Sequence, residues 1–517
     1  MVVIRPDPRP FCPVRREPEV LRSGGGWPIG PVPPYRPERS TTVARRLVRA
    51  ALPALGFAAA EALSVAAGRA VRVDHGEVAL VWPAAAVGVL WALYVRGLGR
   101  RRAVAHAALL GLTTFTATLA TGATVGLSLW FTGVNGVLAA VTAVLLTPGR
   151  RPAALREPAD LARLVVAVTA GTLLSAALAV VYLAHVGHRD LPETFALFAV
   201  RNGVTALAGV ALVLRLQHAR WRRPVLTGPR VAETVACVVV TLAVFSRVFW
   251  VNPGEPIAFA IMLPAMWVSL RYSTTTSTLF LAAAAVCVLV GTLLDLGALQ
   301  GLPAEQQALL AQGMIGSLTL VVLTLALFRD SRNALITELR HLALHDPLTG
   351  LANRTLLTER LESALAHGRP GTVAVVAIDL DGFKSVNDAW GHDEGDLLLT
   401  EIARRLAETA GPDDTVARIG GDEFVVLRPR LDDPGDLEEY VDRVRSHVAR
   451  PYGQASDAPF DRITASVGLA VSERNDTPRS LLARADQAMY VVKRDTHGRP
   501  AAVRARALRV VGAPLAR

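Results

Sequence analysis

Long blocks of apolar residues fill the chain up to about residue 330 and then stop. A helix needs about 20 mostly apolar residues to cross the hydrocarbon core of a bilayer. Blocks near this length recur about ten times, although the first and eighth are short; they lie near 50–66, 77–95, 103–121, 123–147, 161–185, 194–214, 231–250, 256–270, 273–294 and 308–328. The sequence therefore predicts a multi-spanning α-helical membrane domain at 46–328, followed by a soluble domain.

The loops between the blocks predict how the chain is oriented in the membrane. Arginines gather after the even-numbered blocks, whereas the other loops hold only Arg69, Arg72 and Arg189. The arginines that follow the even-numbered blocks are Arg96, Arg100, Arg101, Arg102, Arg150, Arg151, Arg156, Arg163, Arg215, Arg220, Arg222, Arg223, Arg271, Arg329 and Arg332. Basic loops stay in the cytosol. We therefore expect a multi-pass protein of the inner (cytoplasmic) membrane, with the N-terminus and the soluble domain in the cytosol.

Composition narrows the classes of partner. Residues 1–45 are rich in Pro, Arg and Gly, which predicts a disordered cytosolic tail. The formal net charge of +11 could indicate a nucleic-acid partner, but much of the arginine excess lies in this tail and in the loops. Membrane orientation explains those arginines, so no nucleic acid is expected. Cys12, Cys237 and Cys287 lack the spacing of a zinc site or a disulfide framework.

A few polar residues fall within or beside the apolar blocks, namely Glu61, Arg201, Asn202, Arg247 and Asp295. Charges at membrane depth are costly and often functional. The alternative is that these side chains snorkel to a span end, or form an ion pair that only fixes packing.

The membrane half resembles the MASE family of bacterial membrane sensor domains over about residues 50–328. The resemblance rests on Trp82-Pro83 inside a long apolar span, on small residues around 105–145 and on the number of helices. It implies a receiver for an unknown small-molecule or membrane signal, coupled to an output domain. A transporter with an incidental soluble tail is an alternative, which would need repeat symmetry among the spans.

Residues 329–345 join the two parts. Leu335, Ile336, Leu339, Leu342 and Leu344 form a helical apolar stripe that continues from the last block. We interpret this linker as a signalling helix that pairs two chains; the alternative is a simple tether.

The soluble part, residues 346–505, alternates helix and strand and is followed by a tail at 506–517. The predicted elements are a helix at 353–367, a strand at 372–379, a long helix at 388–409, a hairpin at 415–428, a helix at 436–450, a strand at 462–471 and a helix at 478–493. This order predicts an α/β sandwich with a partly antiparallel sheet.

Two acidic clusters stand out in this domain. Asp379 ends an apolar strand, and the hairpin carries Gly420-Gly421-Asp422-Glu423. The glycines leave the backbone bare and allow positive φ. If the hairpin lies beside the strand, Asp379 and Asp422 converge, and such paired carboxylates suit Mg²⁺ (or Mn²⁺) together with substrate phosphates. Asp381 is expected to point to the other face of the strand and to have a structural role.

Four ordered motifs make this domain similar to the GGDEF family of diguanylate cyclases: HDPLTGLANR, IDLDGFKSVNDAWGHDEGD, GGDEF and ADQAMYVVK. The resemblance covers about residues 341–501. It implies a nucleotidyl-cyclase-like α+β fold and the condensation of two GTP molecules into cyclic di-GMP plus pyrophosphate. Because one such domain holds one GTP, it also implies an active homodimer.

The same resemblance implies roles in metal binding and catalysis. Asp379, Asp422 and the carbonyl of Leu380 look like ligands of the divalent metal. Glu423 looks like the carboxylate near the attacking ribose hydroxyl, either as a base or as a ligand of a second metal. Lys384 looks like a contact that stabilises charge on the phosphate.

The remaining implied roles concern substrate binding. Asn387 and Asp396 look like the residues that read guanine, with His392 beside them. An amide and a carboxylate match the donor edge of guanine, and adenine would leave them unsatisfied. Gly420-Gly421 leaves room for the nucleotide, and Lys493 looks like a further phosphate contact.

The chain departs from the family pattern at two places. Many members carry an inhibitory product site, Arg-x-x-Asp, ahead of the hairpin; here Gly411 replaces the arginine and Asp414 remains, so no such site is expected. The arginine that commonly follows Lys493 is also displaced, and Arg494, Arg499 or neither takes its place.

Two further alternatives bear on the soluble domain. Asp346 and Arg354 are expected to brace its entrance by a salt bridge rather than bind substrate. The rival function for the domain is a catalytically inactive GGDEF-type receptor for GTP or another nucleotide; the unaltered GGDEF sequence and Lys384 argue against it.

Overall fold

The computed structural model describes residues 39–71, 79–150, 152–187, 190–217, 228–251, 257–431, 436–452, 463–496 and 509–511. Most of the predicted tail lies outside these residues, and so do Cys12 and Arg499. Residues 39–45, which we assigned to that tail, instead begin the first helix. The segment from Arg39 to Leu52 is rich in Ala, Arg and Leu, which favour helix.

Ten α-helices are present among the described residues of the first part of the chain. They are α1 Arg39–Ala70, α2 Ala84–Arg96, α3 Arg100–Ala120, α4 Val125–Leu146, α5 Pro158–His185, α6 Leu191–Leu216, α7 Gly228–Ser246, α8 Met262–Arg271, α9 Thr274–Leu293 and α10 Ala304–Leu344. Within the described residues, eight helices are long and apolar enough to cross a membrane. The shorter apolar helices are Ala84–Arg96 and Ala258–Arg271, the latter including a 3₁₀ turn before α8.

Helix α2 is shorter than the predicted second span. It begins after Pro83, because proline has no N–H and its ring fits the first turn of a helix. Just before it, the Leu80 N–H donates to the Val71 carbonyl at 3.0 Å. The sequence predicted that Trp82-Pro83 lies inside a long span. In the structure it instead precedes the helix. Helix α2 is a central helix of the bundle, because many of its residues, Val89 and Trp91 among them, are buried.

Arginine side chains tie together the helix ends that share one side of the bundle. Three such bonds run from Arg96 to the Thr147 carbonyl at 2.9 Å, from Arg215 to the Leu155 carbonyl at 2.7 Å and from Arg329 to the Ser269 carbonyl at 2.6 Å. At the opposite side, Arg69 donates to the Thr121 carbonyl at 3.0 Å. The first side is here called the basic end. The C-terminal ends of α2, α4, α6 and α8 lie there, as expected for helices that alternate in direction.

Helix α10 leaves the bundle at its basic end and continues to the soluble domain. It has 41 residues, and one face of it is buried in the bundle as far as Leu327. Beyond that point an exposed apolar stripe follows; it consists of Leu335, Ile336, Leu339 and Leu342. The linker predicted at 329–345 is therefore the last part of one unbroken helix.

The soluble domain continues with α11 Arg354–His367, β1 Ala374–Asp381, α12 Phe383–Trp390, α13 His392–Thr409, β2 Thr415–Gly420, β3 Glu423–Arg428, α14 Asp436–Val448, β4 Thr464–Val471, α15 Pro478–Thr496 and β5 Arg509–Val511. The single long helix predicted at 388–409 was wrong. Gly391 has φ +86°, outside the helical region, and separates α12 from α13.

The sheet has the strand order β2-β3-β1-β4-β5. Its first four strands are antiparallel, and β5, from the segment assigned to the tail, pairs parallel to β4. Alternate β1 residues enter two cores: Val376 and Ile378 pack with α13 and α14, whereas Val375 and Ala377 pack with α11 and α15. This is the predicted α/β sandwich, with β1 at its centre.

Candidate active site

The β2–β3 hairpin lies directly beside β1, which is the arrangement under which the sequence predicts that Asp379 and Asp422 converge. Asp379 faces Glu423 in the register of the two strands, and the Leu380 N–H donates to the Asp422 carbonyl at 3.3 Å. The end of β1 and the turn of the hairpin thus bring together Asp379, Leu380, Asp422 and Glu423.

The hairpin turn has a bare backbone. Gly421 adopts φ +48°, which glycine tolerates better than other residues. A Cβ added at Gly420 or at Gly421 would have no neighbouring atom within 4 Å. Open space therefore lies against the main chain beside the carboxylates, where a phosphate could approach.

Arg418 braces this turn, a role that the sequence analysis did not assign. Its Nε donates to the Gly421 carbonyl at 2.9 Å, and its Nη1 lies 3.1 Å from Asp346 Oδ1. The predicted Asp346–Arg354 salt bridge was therefore wrong. Asp346 lies just after α10, so this ion pair joins the entrance of the domain to the hairpin. The signal available in the sequence was an arginine two positions before Gly420.

The carboxylates at the end of β1 and in the hairpin turn repel one another. Burial raises the pKa of Asp379, and the charge of Asp422 adds to the effect. Burial likewise raises the pKa of Glu423, with a further contribution from Asp486, an acidic residue that the sequence analysis did not single out. A bound cation would offset this negative charge.

Lys493 supplies one positive charge to the cluster. Its Nζ lies 2.7 Å from Asp379 Oδ1. Burial lowers the pKa of Lys493, but the hydrogen bond and the charge of Asp379 outweigh burial and leave the pKa raised. Helix α15 thus places Lys493 at the carboxylates, beside the predicted metal position.

Asn387, one of the two predicted guanine-reading residues, lies against Gly395 where α12 packs against α13. A Cβ added at Gly395 would lie 1.9 Å from the Asn387 side-chain oxygen, so Asn387 would have to move if another residue replaced this glycine. Asp396 follows on the exposed side of α13. Lys384 and His392 are exposed in the first turns of α12 and α13. Gly382, with φ +81°, makes the turn from β1 into α12.

Asp381 has the structural role expected of it. It accepts hydrogen bonds from Thr464 Oγ1 at 2.8 Å and from Ser466 Oγ at 2.7 Å. Its predicted position on the opposite face from Asp379 was wrong, because residues two apart in a strand share a face.

The stretch ahead of the hairpin holds its remaining aspartate inside the domain. Asp414 accepts from the Gly411 N–H at 2.8 Å and lies 3.5 Å from Arg428 Nε. The Arg428 guanidinium also lies over the Tyr440 ring, 4.6 Å from its centroid.

The donor atoms fit a hard divalent cation. Among the described residues there is no group of three or more His, Cys, Asp and Glu side chains arranged to hold a metal. The candidate set is instead two carboxylates, Asp379 and Asp422, and the Leu380 carbonyl. Mg²⁺ is typically held by one or two carboxylates together with substrate phosphates, and the open glycine turn leaves room for them.

Known proteins resemble the soluble domain. Residues 343–499 match the family described as "Diguanylate cyclase, GGDEF domain". The bifunctional diguanylate cyclase/cyclic di-GMP phosphodiesterase MucR of Pseudomonas aeruginosa is 43% identical over 175 residues, which are 33% of this chain and 24% of MucR. Diguanylate cyclase TpbB of the same species is 40% identical over 164 residues, 31% of this chain and 38% of TpbB. The chain thus spans well under half the length of these relatives.

Two solved structures are also similar. The GGDEF domain of TpbB from Pseudomonas aeruginosa is 37% identical, with 32% of this chain and 93% of that one covered and a TM-score of 0.29. The coiled coil and GGDEF domain of DgcB from Caulobacter crescentus, in complex with c-di-GMP, is 28% identical, with 35% and 93% covered and a TM-score of 0.32. With the four motifs and the family match together, residues 343–499 belong to the GGDEF family, whose relatives include diguanylate cyclases.

Proposed function

We propose that this chain is a membrane-bound diguanylate cyclase. It joins two GTP molecules into cyclic di-GMP and releases two pyrophosphates. Each 3′-hydroxyl attacks the α-phosphate of the other GTP, a new P–O bond forms at each α-phosphorus, and the bond to pyrophosphate breaks.

The observation that carries the proposal is the meeting of Asp379, Asp422 and Glu423 beside a bare glycine turn. Phosphoryl transfer depends mostly on positioning and on stabilising the charge that develops on phosphate oxygens. The sheet places three carboxylates together at the end of β1 and the adjoining hairpin turn, which supports this chemistry.

The positions of the site residues support the roles proposed for them. Asp379, Asp422 and the Leu380 carbonyl would hold Mg²⁺ or Mn²⁺, which supplies charge neutralisation at the phosphates. Glu423 accepts the proton of the attacking hydroxyl, and its raised pKa suits a base. Lys384 binds phosphate oxygens.

The substrate binds where α12 packs against α13 and at the end of α15. Asn387 and Asp396 read guanine, and His392 lies beside them. Lys493 moves from Asp379 to a phosphate when metal and nucleotide bind. We propose that Gly420-Gly421 gives the nucleotide access to the carboxylates.

The active form is a homodimer in the lipid bilayer, because each domain holds one GTP and the two must face each other. The exposed stripe on α10 supports pairing of two chains. The N-terminus and the GGDEF domain lie on the cytosolic side of the inner membrane, which the arginines of the basic end support. A small-molecule or membrane signal received by the bundle regulates the alignment of the two domains.

The second candidate is a catalytically inactive receptor for GTP. Such a receptor would bind guanine through the same residues, Asn387 and Asp396, but would not need Glu423 as a base. The unaltered GGDEF turn and Glu423, whose raised pKa suits a base, favour the cyclase, because a receptor needs no base.

The test uses the full chain in lipid nanodiscs with two copies per disc, GTP and Mg²⁺. Cyclic di-GMP and pyrophosphate are measured by chromatography. We expect turnover, and Glu423→Gln should lower it at least about 100-fold, as loss of a general base does. Bound GTP without turnover would instead support the receptor.

Glu439→Gln is the matched control. Glu439 is an exposed glutamate of α14, with 79% of its side chain accessible, and its ion-pair partner is Arg443 on the same helix. This substitution should leave turnover unchanged, which separates the effect of Glu423 from a general effect of lost surface charge.

A further inference from the structure

A cavity of about 300 Å³ lies among α1, α2, α3 and α4 in the membrane half. Small residues create its space; they include Gly88, Gly111, Gly136 and Ala139. Val144, which also lines the cavity, is 52% exposed, so the cavity borders an exposed face of the bundle. A molecule dissolved in the bilayer could enter it from there.

Glu61 points a carboxylate into this cavity with one oxygen unused. The residue is 1% exposed, and its Oε1 accepts a hydrogen bond from Thr114 Oγ1 at 2.9 Å. Oε2 is buried and has no hydrogen-bond partner. A buried acceptor without a partner destabilises the folded state, and more so when it is charged. The site is therefore incomplete without a donor.

Asn135 adds a second acceptor to the same cavity. Its Oδ1 is also buried without a partner. Trp91 and His106 complete the wall, and Trp91 Nε1 donates to His106 Nδ1 at 3.0 Å. Arg96, near the basic end, offers one unpartnered donor, Nε, while its Nη2 is bonded to Thr147.

We propose that this cavity binds a small, mainly apolar amine, with its nitrogen against Glu61 and Asn135. An amine supplies the donors that both oxygens lack. It forms the same ion pair with Glu61 whether it arrives protonated or takes a proton from the carboxyl group. Lipid acyl chains have no donor and leave Glu61 unsatisfied, so the polar groups select against the surrounding bilayer.

This inference deepens the proposed regulation, because it names the site and the chemical class of the signal received by the bundle. It rests on the cavity and not on turnover of GTP. Binding is measured without nucleotide, so its failure is distinct from failure of the proposed cyclase activity.

The experiment uses the full chain in nanodiscs and three probes of matched shape: benzylamine, benzyl alcohol and toluene. Binding is followed by saturation-transfer NMR and by the shift in thermal unfolding, with empty nanodiscs subtracted. We expect benzylamine to bind more tightly than benzyl alcohol, and toluene to bind least. Glu61→Gln should weaken benzylamine binding about tenfold, the loss expected for one hydrogen bond to a charged group.

A second pair of variants keeps Glu61 intact. A Cβ added at Gly136 or at Gly133, both in α4, meets no atom within 4 Å, but only Gly136 lines the cavity. Gly136→Leu should therefore fill the cavity and abolish benzylamine binding, whereas Gly133→Leu should not; both should keep the helical circular dichroism spectrum. Undetectable benzylamine binding, equal binding of the three probes, or wild-type binding by Gly136→Leu would overturn the proposal and leave a water-filled cavity.

Discussion

The ionised carboxylate of Glu423 lowers the stability of the folded protein. Burial and the nearby Asp486 carboxylate raise its pKa above the ordinary value of 4.5. The folded state therefore binds more protons than the unfolded state between 4.5 and the raised pKa. Stability falls as pH rises through this window, and the loss is complete above it.

Glu423→Gln should consequently stabilise the protein without metal. We expect a higher thermal unfolding midpoint than wild type at about pH 8, because the substitution removes a partly buried charge, and no gain at about pH 3, where Glu423 is protonated in both states. Calorimetry in the presence of a chelator measures both midpoints. A gain that persists at the lower pH would show that the charge of Glu423 is not its source.

Gly411 lies where many GGDEF domains carry the arginine of a product site. A Cβ added there would lie 3.4 Å from Asp414 Oδ2, an ordinary contact, so the backbone at this exposed position accepts a side chain. We predict that cyclic di-GMP does not inhibit the wild-type cyclase through this site and that Gly411→Arg introduces inhibition. Initial rates with added cyclic di-GMP measure this; inhibition of the wild type that Asp414→Ala removes would contradict it.

The sequence was sufficient to find the residues at the turn but not their partners. The hydrophobic run into Asp379 and the GGDEF hairpin predicted a meeting that β1 and β3 indeed make. Arg418 pairs with Asp346 across 72 positions, and a single sequence contains no signal for that distance. Asp486 was missed for the same reason, since α15 folds back onto the sheet from far along the chain.

At the scale of elements, α10 is the physical link between the two halves. Because it is one helix of 41 residues, a rotation or shift at the bundle would be carried along it to Leu344, two residues before Asp346. Its exposed stripe, Leu335, Ile336, Leu339 and Leu342, is the surface we propose for pairing.

Leu335→Asp combined with Leu339→Asp should disrupt this pairing. Burying charges at a helix interface is costly, so we expect the dimer to weaken and turnover per chain to fall at least about tenfold. Thr337→Asp is the control, because position 337 lies on the opposite face of α10. Native mass spectrometry from nanodiscs gives the dimer fraction; unchanged dimers in the double variant would exclude the stripe as the interface.

The elements themselves followed from sequence where periodicity was long and failed where a single residue interrupts it. The hairpin at 415–428 and the helices α11 and α14 were predicted to within about two residues. Gly391 divided one expected helix into two, and Pro83 shortened an expected span. Both residues were visible in the sequence, but whether each would end a helix depended on how the neighbouring chain packs.

At the scale of the whole molecule, the arginine contacts of the basic end predict its orientation. A membrane-impermeant maleimide added to intact cells should label Val186→Cys, which lies at the opposite end of the bundle, but not Gly99→Cys. Both positions are exposed in the structure. The parent chain, with its native cysteines, gives the background; labelling of Gly99→Cys alone would reverse the topology.

The central claim is that Asp379 and Asp422 hold a divalent metal at the glycine turn, beside Glu423. The full chain in nanodiscs is mixed with Mn²⁺ and 3′-deoxy-GTP, which lacks the attacking hydroxyl, and free Mn²⁺ is measured by electron paramagnetic resonance. We expect wild type and the exposed-site control Asp413→Asn to bind Mn²⁺ equally, and Asp379→Asn and Asp422→Asn to bind it at least about tenfold more weakly. Equal binding by all four proteins would contradict the account.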